Sequence, residues 1–299
     1  MSDLAPKYPI FIPSKGRWES RQTAKAFDDM GVSYRIVVEP QQFDAYAAHI
    51  DPSRILVLPF SDRGLVPTRN WIWDYAETLG VERFWTFDDN ISKFFRLHHN
   101  QKIQVKTGTI FRVIEDFVDR YRNIVIAGLQ YDFFTPRKSI WPPFLPNTRV
   151  YSNMLIQLDA RDPLGQPYRN RGFYNDDTDL CLRVLKDGWC TCLFNAFLAK
   201  KAPTMTVKGG MTPHYQADGR LRMAQELQRQ HPDVVQLNWK WGRWPHQVDY
   251  RRFRKNKLRL REGVEIPDTP NEYGLQLVKW TERERRHETT DEGVIADTT

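Results

Sequence analysis

Cysteine is scarce in this chain, and that scarcity excludes two structural classes. The three residues, Cys181, Cys190 and Cys192, are too few and too close together for a disulfide framework. Their spacing fits no zinc pattern, so they are expected as small buried hydrophobes in a reducing compartment. No apolar run approaches the length of a membrane span, and no membrane association is expected. The opening Met1-Ser2-Asp3-Leu4 lacks the basic start and apolar stretch of a secretory signal. Internal repeats are missing as well. A P-loop is excluded because neither its glycine spacing nor its Lys-Ser/Thr pair occurs. These absences together predict a soluble protein of the cytoplasm.

What the chain does have is aromatic and basic. Of 299 residues, 40% are hydrophobic and 13% aromatic, including ten tryptophans, enough for a large core and for stacking on bases or sugars. The net charge is +7, and the run from Arg251 to Arg261 alone carries seven cations and no acid. Charge so concentrated points to a polyanionic partner, although a solvated basic segment would read the same way.

Strands and helices alternate through the first two thirds. Tyr8 to Ile12, Tyr34 to Glu39, Arg54 to Leu58, Phe84 to Phe87, Ile124 to Ala127, Arg149 to Leu158 and Trp189 to Phe194 carry strand patterns. Helices are expected up to Gly31, from Gln41 to His49, up to Gly80, along the Ile110–Tyr121 stripe, and from Asp176 to Gly188. Pro136 to Pro146 is expected as a surface loop. This order predicts an α/β fold with a largely parallel sheet covered by helices on both faces.

Two acidic clusters carry the candidate chemistry. Arg83-Phe84-Trp85-Thr86-Phe87 is an aromatic strand running straight into Asp88-Asp89-Asn90. Acids at a strand's carboxyl end lie where open α/β sheets hold ligands, and they suit Mg²⁺ or Mn²⁺. An Asp/Asn turn would read identically. The second cluster is Asn175-Asp176-Asp177-Thr178-Asp179, where acids in a first helical turn meet the positive end of the dipole. Asp179 and Arg183 have the spacing of an i,i+4 ion pair. His214, in a Gly- and Pro-shaped loop, is a candidate metal ligand, with His98 and His99 as weaker ones. Lys15, Arg17, Arg63 and Arg69 could hold phosphates. Trp239, Trp241 and Trp244 alternate with Lys240 and Arg243 ahead of the basic run, a pattern that suits base stacking and phosphate tracking.

In this order, Pro13-Ser14-Lys15-Gly16-Arg17, Thr68-Arg69-Asn70, Asp88-Asp89-Asn90, the Asp176-Asp177-Thr178-Asp179-Leu180-Cys181-Leu182-Arg183 helix with its Gly188-Trp189 ending, and Pro213-His214 resemble a GT-A nucleotide-sugar glycosyltransferase. The chain is most similar to the phage DNA-modifying branch associated with TET/JBP dioxygenases, over roughly Tyr8 to Tyr215. The resemblance implies a GT-A (Rossmann-like) α/β domain over residues 1–215. A basic, aromatic, DNA-contacting C-terminal extension over 216–282 and a disordered tail over 283–299 complete the expected organisation.

The resemblance further implies a sugar donor, commonly UDP-linked, with Mn²⁺ or Mg²⁺ and a hydroxymethylated pyrimidine of DNA such as hydroxymethylcytosine as acceptor. The setting implied is an infected bacterial cell. Asp88, Asp89 and His214 match metal positions, with Asn90 in place of the usual last acid and Asp88 also matching a ribose contact. Asp177 matches the base of inverting relatives, and Asp176 replaces their usual Glu. Pro13, Ser14, Arg17 and Glu39 match base and ribose contacts, with Lys15, Arg69 and Asn70 completing the expected donor site. Trp241, Arg243, Trp244, Arg251, Arg252, Arg254, Lys255 and Lys257 are the expected DNA contacts. Competing readings are a transferase acting on a polysaccharide or protein, a DNA-binding scaffold without turnover, and a metal-dependent nuclease.

Overall fold

The computed structural model describes residues 4–98, 100–135, 142–202, 219–239 and 244–276. Strand and helix alternate first as β1 (Ile10–Pro13), α1 (Gln22–Asp29), β2 (Arg35–Val38), α2 (Phe43–Ala47), β3 (Ile55–Val57), α3 (Leu65–Thr78) and β4 (Arg83–Phe87). A hairpin of β5 (Ile91–His98) and β6 (Gln101–Gln104) follows, then α4 (Thr109–Val118), β7 (Ile124–Tyr131), β8 (Phe144–Pro146), β9 (Asn153–Gln157), α5 (Asp176–Lys186) and β10 (Cys190–Lys201). The later residues form α6 (Gly219–Gln230) and a small hairpin of β11 (Val235–Leu237) and β12 (His246–Val248).

Ten strands form one sheet in the order β3-β2-β1-β4-β9-β7-β10-β5-β6, with β8 also on β10. The first four pair in parallel, and β9 runs antiparallel to both β4 and β7. β10 is parallel to β7, whereas β5 and β8 oppose β10 and β6 opposes β5. It follows that β1 to β4, β6, β7 and β10 share one direction and β5, β8 and β9 run against it. The sheet is mixed and mostly parallel, as the alternation predicts.

Side-chain alternation distributes the core over two faces. Ile10, Ile12, Ile36, Val38, Trp85 and Phe87 pack with Phe27 of α1 and Phe111 and Ile114 of α4. Phe11, Val37 and Phe84 turn the other way, toward Ile72 and Trp73 of α3 and Leu180 and Val184 of α5. Burial on both faces explains why β7 reads as a nearly continuous apolar run, and β4 is likewise buried along its whole length. The three cysteines are free and buried in these clusters, as expected. Gly128 marks where β9 leaves β7: a Cβ there would lie 2.1 Å from the Asn153 carbonyl oxygen. The Asn153 side chain instead accepts from the Leu129 N–H at 2.5 Å.

Three local expectations are corrected. No strand is expected directly after the acidic triplet, yet the chain turns at Asp89 and Asn90 and continues into the β5/β6 hairpin. Phe144–Pro146, expected within a loop, pairs with β10. The strand expected to stop at Phe194 continues to Lys201, through a register shift between Phe194 and Leu198. Beyond the sheet, Leu227, Val234, Val235 and Phe253 cover Leu182 and Leu185 on the outer side of α5.

Candidate active site

Parallel pairing aligns the strands' carboxyl ends, so the first residues past β1, β2 and β4, namely Ser14, Glu39 and Asp88, lie along one edge. Ser14 donates through Oγ to Asp89 Oδ2 at 2.6 Å and lies 2.6 Å from the Tyr46 hydroxyl. Arg17 Nη1 pairs with Asp89 Oδ1, which ties the loop after β1 to the end of β4. Thr23 of α1 donates to the Asp88 carbonyl at 2.5 Å and accepts from the Ile91 N–H at 2.9 Å. The acidic triplet is thus a fixed corner between β4 and β5.

The second cluster meets the first through one guanidinium. Arg69, 6% exposed in the first half of α3, donates from Nη2 to Asp88 Oδ1 at 3.0 Å and from Nη1 to Asp176 Oδ2 at 2.7 Å. Gly64 makes that placement possible, because its φ of 88° opens α3 in a conformation that favours glycine. Asn170 adds a 2.8 Å bond to Asp176 Oδ2. Asn70, one residue after Arg69, exchanges two bonds with the Asn170 backbone at 2.8 and 2.9 Å. Asn175 enters α5 at a left-handed φ of 48°, which asparagine tolerates, and leaves Asp176, Asp177 and Asp179 in the first turn.

The acids divide by environment. Burial opposes charge on Asp88, but Lys201 and then Arg69 outweigh it and hold that carboxyl well below the usual range. For Asp89 burial wins over Arg17 and Ser14 and raises the pKa. Asp177 is half-buried and its pKa is raised to about 6, first by burial and then by the neighbouring Asp176. Asp179 is fully buried beneath Arg171, Arg183 and His231, whose bonds overcome burial and bring it down to about 2. That environment makes Asp179 a structural anchor, with the expected Arg183 pair in place at 2.9 Å. A carboxylate with a pKa near 6 is suited to take up a proton near neutrality.

Residues 8–210 match the family model for TET-Associated Glycosyltransferase. The chain belongs to that family. It is a glycosyltransferase in the context of TET-associated DNA modification, and both acidic clusters lie inside the matched span. No curated protein matches the chain. Among the described residues no helix is long and apolar enough to cross a membrane.

Three side chains of this glycosyltransferase's edge were not anticipated. Lys201, the last residue of β10, donates to Asp88 Oδ2 at 2.9 Å and to Ser152 Oγ at 2.7 Å, and lies 5.6 Å from the Tyr131 ring centre. Ser152 holds a left-handed φ of 63°, and its carbonyl accepts from the Asp88 N–H at 2.7 Å. The Tyr131 hydroxyl meets the Ser152 hydroxyl. A cation at a strand's carboxyl end was the available signal for Lys201. Ser152 and Tyr131 left none, since only the pairing of β7, β9 and β10 brings them together.

The described residues, as they stand, do not fit a divalent cation. Both oxygens of Asp88 are taken by Arg69 and Lys201, and both oxygens of Asp89 by Arg17 and Ser14. Among the described residues no three His, Cys, Asp or Glu side chains are grouped as a metal site. His214 and His99 lie outside the described residues, and His98 is at the far end of β5.

The other expected donor contacts gather at the same edge. Pro13 closes β1, and Lys15 spans Glu39 at 2.8 Å and Asp62 at 2.5 Å. Glu39 is buried and also accepts from the Asp62 N–H at 3.0 Å, which fixes the loop after β3. Arg63 lies over the Phe60 ring. Of the expected acceptor contacts, Trp241 and Arg243 lie outside the described residues, and Trp244 is exposed against Trp239, with ring centres 5.3 Å apart. The run from Arg251 does not line this edge. It crosses the opposite, amino end of β7 and β10, with Lys257 beside Asn123 and Asn256 beside Leu185 and Trp189.

Proposed function

We propose that this glycosyltransferase moves a sugar from a UDP-linked donor to the hydroxymethyl oxygen of a modified pyrimidine in DNA. The observation that carries the reading is the Arg69 bridge, which brings the strand-end acids and the first turn of α5 to one edge. The donor nucleotide lies along the ends of β1 and β2, at Pro13, Ser14, Arg17 and Glu39, with its diphosphate toward the cations Arg17 and Lys201. The acceptor hydroxyl lies at Asp177.

Transfer is a displacement at the anomeric carbon. The acceptor oxygen forms the new bond as its proton passes to the Asp177 carboxylate. The old carbon–oxygen bond breaks, and its electron pair leaves with the nucleoside diphosphate. A positioned base of this kind contributes about 10²–10⁴-fold. Asp176, held by Arg69 and Asn170, keeps the first turn of α5 in place and raises the proton affinity of its neighbour.

The test is direct. The protein is incubated with a panel of sugar nucleotides and hydroxymethylated DNA, with divalent cation or with EDTA, and the digested nucleosides are weighed. A hexose-sized gain on the modified pyrimidine is expected from a uridine-linked donor. Sugar appearing only on a polysaccharide or protein acceptor, or no turnover of any donor, would overturn the proposal.

A further inference from the structure

We infer that the amino edge of the sheet is a fixed docking rail for nucleic-acid phosphates, distinct from the carboxyl edge where the sugar is transferred. This deepens the proposed function and rests on its DNA acceptor. The rail begins in the 3₁₀ turn Tyr250–Lys255, where Phe253 is 5% exposed and locked among Leu182, Leu185 and Leu227. Arg252 and Lys255 are three residues apart, so in a 3₁₀ turn they share a face, and both are exposed. The chain then extends. Leu258 packs inward, and Lys257 and Arg259 on either side of it are exposed. Arg122, also exposed, lies alongside, its N–H bonded to the Arg259 carbonyl at 2.9 Å.

What separates this segment from a solubilising basic tail is how its backbone is held. The Asn147 amide donates to the carbonyls of Phe253 at 3.1 Å and Asn256 at 2.8 Å. Asn123 donates to the Lys257 carbonyl at 2.8 Å and accepts from the Arg259 N–H at 2.8 Å. Asn256 reaches back to the carbonyls of Leu185 and Trp189, each at 2.8 Å. Asn123 and Asn147 are buried, so two interior amides are committed to the path of the segment. A cation row fixed before binding loses little backbone entropy when it meets a repeating anion. Regularly spaced phosphates are such an anion, and exposed Arg and Lys bind them chiefly through charge.

The rail and the reaction edge lie at opposite ends of β7. Ile124 is beside Asn123, and Tyr131 is beside Lys201. Seven strand rises of about 3.3 Å separate them, roughly 23 Å. At about 3.4 Å per step along a strand, that distance equals about seven base pairs. DNA long enough to reach both ends therefore gains contacts that a short acceptor lacks.

The experiment measures binding of the full chain to plain DNA hairpins with duplex stems of about 5 and about 15 base pairs, one shorter and one longer than that span, by fluorescence anisotropy across a salt series. The triple variant Arg252→Ala/Lys255→Ala/Lys257→Ala is compared with wild type, and a charge-swap variant, Lys257→Glu, gives a second reading. Wild type is expected to favour the long stem by at least tenfold. In the triple variant that ratio falls toward one, and the slope of log K against log salt becomes shallower by about 2.7. An unchanged ratio and slope overturn the inference, as does an equal loss of binding to polyglutamate or to anionic lipid vesicles. Absence of sugar transfer by the wild type would sink the proposed function while leaving this binding ratio untouched, so the two failures are distinguishable.

Discussion

Asp88 and Asp176, 88 positions apart in the chain, are held by opposite arms of the Arg69 guanidinium, at 3.0 and 2.7 Å. A planar fork holds two carboxylates from two separate nitrogens in fixed directions, whereas an ammonium carries all its donors on one nitrogen and cannot reproduce that spacing. Arg69→Ala would leave two largely buried acids without their common partner, and a loss of about 3–5 kcal/mol of stability is expected. Arg69→Lys keeps the charge but reaches only one acid. It should melt closer to wild type while transfer falls by roughly 10–100-fold, as misplaced reacting groups do. Thermal melts and transfer rates of the two variants separate support of the fold from alignment of the site.

Asp177 sets the acid limb of the pH profile. A base works only when ionised, so kcat/KM for transfer should rise with pH through about 6 and then level. Asp177→Asn should remove that limb together with about 10²–10⁴-fold of the rate, while donor binding by calorimetry stays near wild type. The stability sign is the reverse. This carboxyl's folded pKa lies above its ordinary value of 3.8, so its contribution to stability is full below that value and is lost as pH rises through about 6. Asp177→Asn should therefore melt higher than wild type at pH 7 and no higher at pH 3.5.

Much of this was readable before folding because local signals and the fold agree. The aromatic run into Asp88 and the acid-rich start of α5 mark strand end and helix start by chemistry that needs no tertiary information. Arg69 was readable as a cation near the edge, but not as the link between the clusters, since that depends on α3 packing across β1 and β4. Lys201 was missed because β10 shifts register after Phe194, and the strand pattern seemed to end there. The basic run was legible as charge but not as location. Its place at the amino edge is decided by Asn123, Asn147 and Asn256, whose partners are backbone carbonyls and N–H groups distant in sequence.

Asp179 tests the boundary between support and chemistry. It accepts from Arg171 at 2.9 Å, Arg183 at 2.9 Å and His231 at 2.8 Å, joining α5 to the end of α6. Its folded pKa of about 2 lies below its ordinary value of 3.8, so the stability it supplies is present above that value and is lost as pH falls toward 2. Asp179→Asn should lower the melting temperature at pH 7, at a cost of about 3–5 kcal/mol, with the difference from wild type shrinking in acid. Preparations that remain folded at low temperature should keep the acid limb near pH 6, because that limb belongs to Asp177. Disappearance of the limb in the folded variant would move Asp179 into the chemistry.

Lys201 decides how the strand-end acids treat a divalent ion. Its ammonium is 2.9 Å from Asp88 Oδ2, the position a metal at that oxygen would need, and like charges so close exclude each other. Lys201→Ala removes the competitor while Arg69 still holds the other oxygen at 3.0 Å. Mn²⁺ should then bind the variant about tenfold or more tightly than wild type, a gain of about 1.4 kcal/mol or more. Titration followed by the magnetic resonance signal of free Mn²⁺ measures this without reference to turnover. If transfer needs the metal, the variant should reach half-maximal rate at lower Mn²⁺ than wild type. If transfer draws on the Lys201 charge itself, the variant should stay slow at every Mn²⁺ concentration. Equal Mn²⁺ affinity in the two proteins would remove Asp88 as a ligand and leave its carboxylate as an anchor for Arg69 and Lys201.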